Sequence, residues 1–236
     1  MKNTVKILAL GAAIAASATM AKADTVNYTV LVDGVSIGSG TSASGDLAGK
    51  TISGDGFQVT LDAIGAPAST APNFSSNAFT VIKNSNKASD DTVEIEVSDV
   101  GITTATTGVL NSFTTNSLSS TTFLSDTISN YYDTSDATYG TGSLLASTSF
   151  SGSGSFAAGP TPGVISSSSP YSETMIYTIN FGPSSNNGNN GPNVDGDSVS
   201  VSSQIVAATP EPSSLALLGT SLLGAAGIAR RRFLRK

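Results

Sequence analysis

Between Asp24 and Thr209 the chain carries sixteen carboxylates, three lysines (Lys50, Lys83 and Lys87) and no arginine, histidine or cysteine, so chemistry in this stretch would have to be carboxylate chemistry. Glu94 and Glu96 stand two apart in TVEIEV, which puts both on one face of a strand, where paired carboxylates can act as acid and base on a glycosidic bond. The same spacing has a plainer meaning. Val93, Ile95 and Val97 form the opposite, apolar face, and the two glutamates are expected to face water. Asp195 and Asp197 with Asn193 could offer oxygens to calcium, as could Asp90 with Asp91, or Asp55 with Asp62. None has the spacing of an EF-hand loop. The Asp-Gly pairs are therefore expected to make turns, and no preplaced metal site is expected. Tyr131 and Tyr132 beside Asp133 could stack on a sugar ring, with core packing the expected role. Gly152-Ser153-Gly154 has no histidine to activate its serine, and the glycines from Gly38 to Gly49 are not followed by the Lys-Ser/Thr of a phosphate loop. No catalytic residue and no cofactor are expected, and the chain is read as a non-enzyme.

The charge of this stretch is −13, whereas the whole chain is at −6, because eight of its eleven basic residues lie near the two ends. A nucleic-acid surface needs clustered lysine and arginine to displace counterions, so nucleic acid is excluded as a partner. Divalent cations and neutral sugars stay open. Without cysteine no disulfide supports the fold, and without histidine the commonest general base and zinc ligand are missing.

The elements that must position these residues are strands. Serine and threonine make up 60 of the 186 residues, a composition that disfavours helix, because serine competes for backbone hydrogen bonds and threonine is β-branched. Period-two alternation marks Thr25 to Val32, Phe57 to Ile64, Ala78 to Lys83, Thr92 to Val97, Glu173 to Phe181 and Ser198 to Val206. Each is read with an apolar face and a face of Thr, Ser, Glu, Asn or Gln. Asp33-Gly34 reads as a tight hairpin turn to a short Val35 to Ile37, and Gly54-Asp55-Gly56 as a second turn. Further strands are expected near Leu144 to Phe150 and Ser155 to Ala157, with a short helix around Leu124 to Tyr132. Gly182 to Gly196 reads as an exposed loop. Antiparallel neighbours without alternating helices point to an all-β, mostly antiparallel β-sandwich, jelly-roll or Ig-like, occupying residues 24–209 as one domain, with a closed barrel as the alternative.

Both ends differ from this domain. Residues 1–23 have Lys2 and Lys6, an apolar run from Ile7 to Ala18, and Ala21-Lys22-Ala23, the small-x-small pattern that signal peptidase cuts after. This is a signal helix, and a mature chain starting at Asp24 is expected. Residues 210–236 hold the triplet Pro210, Glu211 and Pro212, an uncharged apolar run from Leu215 to Ala229, then Arg230, Arg231, Arg232, Arg235 and Lys236. Fifteen residues of helix rise about 22 Å against a hydrocarbon core of about 30 Å, so crossing draws in Ser213 and Ser214 and lets the arginines snorkel. The cations stop transfer on the cytoplasmic side.

The order Pro-Glu-Pro, short Gly/Ala/Leu helix and terminal arginine cluster resembles the PEP-CTERM sorting signal of Gram-negative bacteria, over 27 residues. The resemblance implies that an exosortase, a membrane-embedded cysteine protease, recognises the triplet and cuts nearby. It further implies an inner-membrane precursor, a final place at the cell surface or outside the cell, and a structural role in the envelope or in an exopolysaccharide biofilm matrix. A carbohydrate-binding or calcium-dependent adhesive module is the alternative. Val93 to Thr103 and the run SETMIYTINF also resemble outer domains of PEP-CTERM proteins with no assigned activity, which implies the sandwich alone.

Overall fold

A computed structural model describes residues 24–66, 73–83, 89–104, 108–118, 120–167, 170–183, 197–208 and Thr220, without the side chains of 77–80. Residues 1–23, where a signal segment is expected, Pro67 to Pro72, residues 184–196 of the expected loop and nearly all of the sorting segment lie outside these residues. Among the described residues no helix is long and apolar enough to cross a membrane.

Twelve strands follow one another: β1 (Thr25–Val32), β2 (Val35–Ser42), β3 (Asp46–Gly54), β4 (Phe57–Ile64), β5 (Phe74–Lys83), β6 (Asp91–Ile102), β7 (Val109–Asn116), β8 (Phe123–Asp133), β9 (Ser143–Ser151), β10 (Ser155–Gly163), β11 (Tyr171–Phe181) and β12 (Asp197–Ala207). They form two six-stranded antiparallel sheets, ordered β2-β1-β6-β11-β8-β9 and β10-β7-β12-β5-β4-β3. The chain crosses between sheets at both sides, where β2 meets β3 and β9 meets β10. The two inner faces share one apolar cluster, so the architecture is a sandwich. Phe57 of one sheet meets Phe181 of the other with ring centroids 5.4 Å apart.

Local chemistry explains the hairpins. Asp33 and Gly34 have φ of 51° and 78°, the two left-handed residues that a two-residue turn with the right twist requires, and Val32 pairs with Val35 across it. Asp55 and Gly56 repeat this at 47° and 80°, closing Gly54 on Phe57. In β1 the inward Val26, Tyr28, Val30 and Val32 alternate with Thr25, Asn27, Thr29 and Leu31, which places its inward side chains against the core.

The expected helix at Leu124 to Tyr132 is corrected: this stretch is β8, paired to β11 on one side and β9 on the other. Its inward positions include Asp126 and Asn130 as well as Ile128, so its core face is half polar and carries no apolar alternation. β7 hides for the same reason, with Asn111 and Thr115 inward beside Val109 and Phe113. The two polar faces satisfy each other. Asn130 Nδ2 donates to Asn111 Oδ1 at 3.0 Å, Ser203 Oγ donates to Asn130 Oδ1 at 2.8 Å, and Thr115 Oγ1 donates to Asp126 Oδ2 at 2.5 Å. Ser76 and Tyr177 hydroxyls make a further bond between the sheets. Polar pairing of this kind fixes how one sheet sits on the other, since a sliding sheet would leave buried groups without partners.

Candidate functional site

Most of the carboxylates singled out above have structural partners. Glu94 and Glu96 face away from Val93, Ile95 and Val97, which are fully buried; partial burial and then the neighbouring Glu94 raise the Glu96 pKa. Asp33 Oδ1 accepts from Thr92 N at 2.9 Å and Asp62 Oδ1 from Gly49 N at 2.6 Å, so both anchor backbone. Asp197 accepts from the amides of Thr121 and Thr122 at 2.7 and 3.0 Å and from both hydroxyls. It holds a loop. Asp91 pairs with Lys83 at 3.0 Å, and Lys83 also donates to Gly182 O at 2.8 Å. Asn193 and Asp195 lie outside the described residues, as do Ala21, Ala23, Pro210, Glu211, Pro212, Arg230, Arg231 and Arg232.

Tyr132 packs partly against the core and its phenol oxygen accepts from Ser166 N at 3.4 Å. Asp133 turns to its own loop, accepting from Ser135 N and Oγ at 2.8 and 2.7 Å, and these bonds hold its pKa below the ordinary range. The glycines around Ser153 form the β9–β10 hairpin, clasped by Ser117, whose amide donates to Gly154 O at 2.8 Å.

Among the described residues, two places gather polar groups. The first is a groove of about 190 Å³ at the β5–β12–β7 join, lined by Ser75, Ser112, Thr114, Ser202 and Gln204 over the buried Ser76 and Ser203. It lies beside the register shift between Val201 and Ser203 in the pairing of β12 with β5. Hydroxyls and one amide there can exchange hydrogen bonds with a neutral polar ligand, and Thr114 and Ser202 already bond each other at 2.6 Å.

The second place escaped the sequence reading. Glu173 of β11 sits directly opposite Asp99 of β6, and both side chains are enclosed, at 0% and 1% exposure. Asp99 Oδ2 accepts from Ala66 N at 2.7 Å. Among the described residues, Asp99 Oδ1 and both carboxylate oxygens of Glu173 have no hydrogen-bond partner. Burial, with the charges of Asp24 and Asp136 adding to it, pushes the Asp99 pKa up to about 7 despite the bond from Ala66. Burial and then the neighbouring Asp99 push Glu173 well above the ordinary range. Tyr171 beside them is also raised, chiefly by burial, and its hydroxyl donates to Thr104 O at 3.3 Å. The signal was present in the register: Glu173 falls in phase with Met175, Tyr177, Ile179 and Phe181, which are inward, and Asp99 with Val93, Ile95 and Val97. Assigning Glu by type to the wet face hid it, and alternation alone places it in the core.

Comparison with known proteins gives one match by sequence family, the PEP-CTERM protein-sorting motif, over residues 208–232. The match starts at the residue after β12 ends. No curated protein matches the chain by sequence. Among solved structures, the chain is similar to a carbohydrate-binding module from the β-sandwich superfamily at 14% identity, covering 77% of this chain and 72% of that one with a TM-score of 0.32. It is similar to TmCBM61, solved with β-1,4-galactotriose, at 7% identity, 65% and 89% coverage and a TM-score of 0.31. It is also similar to the CBM22-1 xylan-binding domain of Paenibacillus barcinonensis Xyn10C, at 10% identity, 69% and 86% coverage and a TM-score of 0.32. TM-scores of this size carry no argument about this chain, and its sandwich is read from its own sheets.

Proposed function

We propose that the chain is an exported structural protein of the cell surface or extracellular matrix, delivered through the sorting segment at its C-terminal side and processed there by an exosortase. The observation that carries this is the sorting motif at 208–232, which takes over where the last strand of the sandwich ends. The sandwich would thus be presented outside, next in sequence to the sorting segment. Signal peptidase acts first, after Ala23. The exosortase then reads Pro210, Glu211 and Pro212. Both prolines fix their own φ and bias Thr209 and Glu211 toward extended backbone, so the triplet stands as a stiff segment where an embedded protease can reach it. Arg230, Arg231 and Arg232 hold the depth of the helix until the cut is made.

The sandwich itself is assigned no catalytic step. Its role is to be a stable, strongly acidic, hydroxyl-covered body, in contact with exopolysaccharide. Replacing Glu211 by Ala, or deleting Arg230 to Lys236, tests the sorting part: either change should leave the full-length precursor in the inner membrane while the unaltered chain moves outward. Equal delivery of all three would overturn the reading.

A carbohydrate-binding module is the second reading, favoured by the hydroxyl-lined groove on the β5–β12–β7 face. Binding to a glycan array that is lost when Ser202 and Gln204 become bulky apolar residues would support it. Binding that survives those changes, or no binding at all, would leave the structural role alone.

A further inference from the structure

We infer that Asp99 and Glu173 are the anionic ligands of a buried divalent-cation site, and that calcium is the cation they take. Three of their four oxygens are out of water with no donor, and isolated carboxylates in such a place must be neutralised by protons or by a cation. Among the described residues neither lysine serves the pair. Lys83 is fixed at the other end of β6 by Asp91 and Gly182 O, Lys50 is exposed on the edge strand β3, and Lys87 lies outside the described residues. The groups facing the pair make the field more negative. Asp24 precedes β1, and Asp136 follows β8 with its Oδ1 accepting from Gly101 N at 2.6 Å. The Tyr171 phenol nearby donates to a carbonyl.

The strand carrying Asp99 shows what a compensated charge looks like in this fold. Asp91 begins β6 enclosed against its own lysine, and Asp99 eight residues later is equally enclosed without one. The backbone has been shaped to the carboxylate: a Cβ on Gly65 would lie 2.6 Å from Asp99 Oδ2, so only glycine lets the chain between β4 and β5 come this close. That approach joins Asp99 in one sheet to the end of β4 in the other. An ion held there would fasten the two sheets together at the end opposite the Lys83–Asp91 pair.

The donor chemistry selects the ion. The chain has no histidine and no cysteine, so every available ligand is oxygen, which suits hard cations rather than zinc or copper. Among the described residues no three acidic groups come close enough to hold a metal through side chains alone. Backbone carbonyls and water must complete the shell. Calcium accepts such mixed, irregular shells, whereas magnesium demands a near-octahedral one and gives up its water reluctantly. Two side-chain carboxylates place the affinity with extracellular modules, at a dissociation constant of about 10⁻⁴ to 10⁻³ M. This inference does not depend on the proposed export.

The test is a calcium titration of the intact chain after chelation at about pH 8, followed by equilibrium dialysis and by thermal unfolding. One saturable calcium per chain is expected, above the diffuse binding that any strongly acidic surface shows. The unfolding midpoint should rise by several degrees at about 1 mM calcium, and clearly less with magnesium. The double substitution Asp99→Asn, Glu173→Gln should abolish the saturable component and, by removing buried charge, leave the chelated protein no less stable. A saturable component that survives the double substitution, an equal response to magnesium, or no saturable component would overturn the site. Should the double variant not fold, carboxyl carbon NMR of the unaltered chain decides: calcium must drive the buried Asp and Glu carboxyls to the ionised form at about pH 6. Carboxyl signals that ignore calcium would overturn it.

Discussion

Asp99 makes this sandwich respond to pH against the usual trend. An ordinary paired carboxylate adds stability above its unfolded pKa and loses it in acid; Asp99 is raised from 3.8 to about 7 chiefly by burial, so its folded form prefers the proton. Stability from this group is fully present below about pH 4 and is withdrawn as pH climbs to about 7, by on the order of 4 kcal/mol at most. Glu173 shifts in the same direction. In chelator, denaturant midpoints should therefore fall from about pH 5 to about pH 8, and Asp99→Asn with Glu173→Gln should flatten that decline. A midpoint that rises over this range would show that the pair is compensated by something other than protons. Asn130 gives a second residue-scale prediction. It donates to Asn111 and accepts from Ser203 inside the core, so Asn130→Ala leaves buried groups on two other strands unpaired and should cost about 2 to 4 kcal/mol by chemical denaturation. A loss under about 0.5 kcal/mol would mean water enters and replaces it.

Turns and strands set a different kind of limit. Gly34 and Gly45 both have left-handed φ, 78° and 71°, but a Cβ on Gly34 meets nothing within 4 Å, whereas one on Gly45 would lie 2.5 Å from the Ala66 carbonyl oxygen. Gly34→Ala should cost only the backbone term, about 1 kcal/mol, and Gly45→Ala about 3 kcal/mol or more because the neighbouring backbone cannot give way. Equal losses in a thermal unfolding comparison would mean that the Gly45 turn is free to move away from Ala66. The strands legible in the sequence were those that keep a run of apolar residues on the inner face: β1 and β4 were read with their observed ends, and β6, β11 and β12, whose apolar runs give way to Asp99, Glu173 and Ser203, were found but read short. β8 and β3 were lost for physical reasons. Asp126 and Asn130 interrupt the apolar face of β8, and β3 holds Leu47 and Ile52 as its only buried apolar residues, five apart rather than in register, because a shift between Leu47 and Lys50 breaks the period. The candidate site was legible in principle, since Glu173 keeps the phase of Met175, Tyr177, Ile179 and Phe181 along β11. What the sequence could not show is the pairing that sets Glu173 opposite Asp99, because register between distant strands depends on the whole sheet.

As a whole, the molecule is a sandwich whose own charge is −13, followed directly by a sorting segment that carries five of the chain's eleven basic residues. Removing that segment would take away five of the basic residues and the apolar run, leaving a strongly acidic body that an anionic bilayer repels. The sandwich reaches from Thr25 to Ala207, so neither cut proposed here would divide a strand. On the proposed sorting, changes in the tail should alter location without altering the unfolding transition of the strands. Intact-mass and terminal analysis of the native protein, taken from its final location in a host that has an exosortase, tests export with tail removal most directly. The predicted result is a chain that begins at Asp24 and has lost Arg230 to Lys236; a chain at that location that still ends in Lys236 would contradict it.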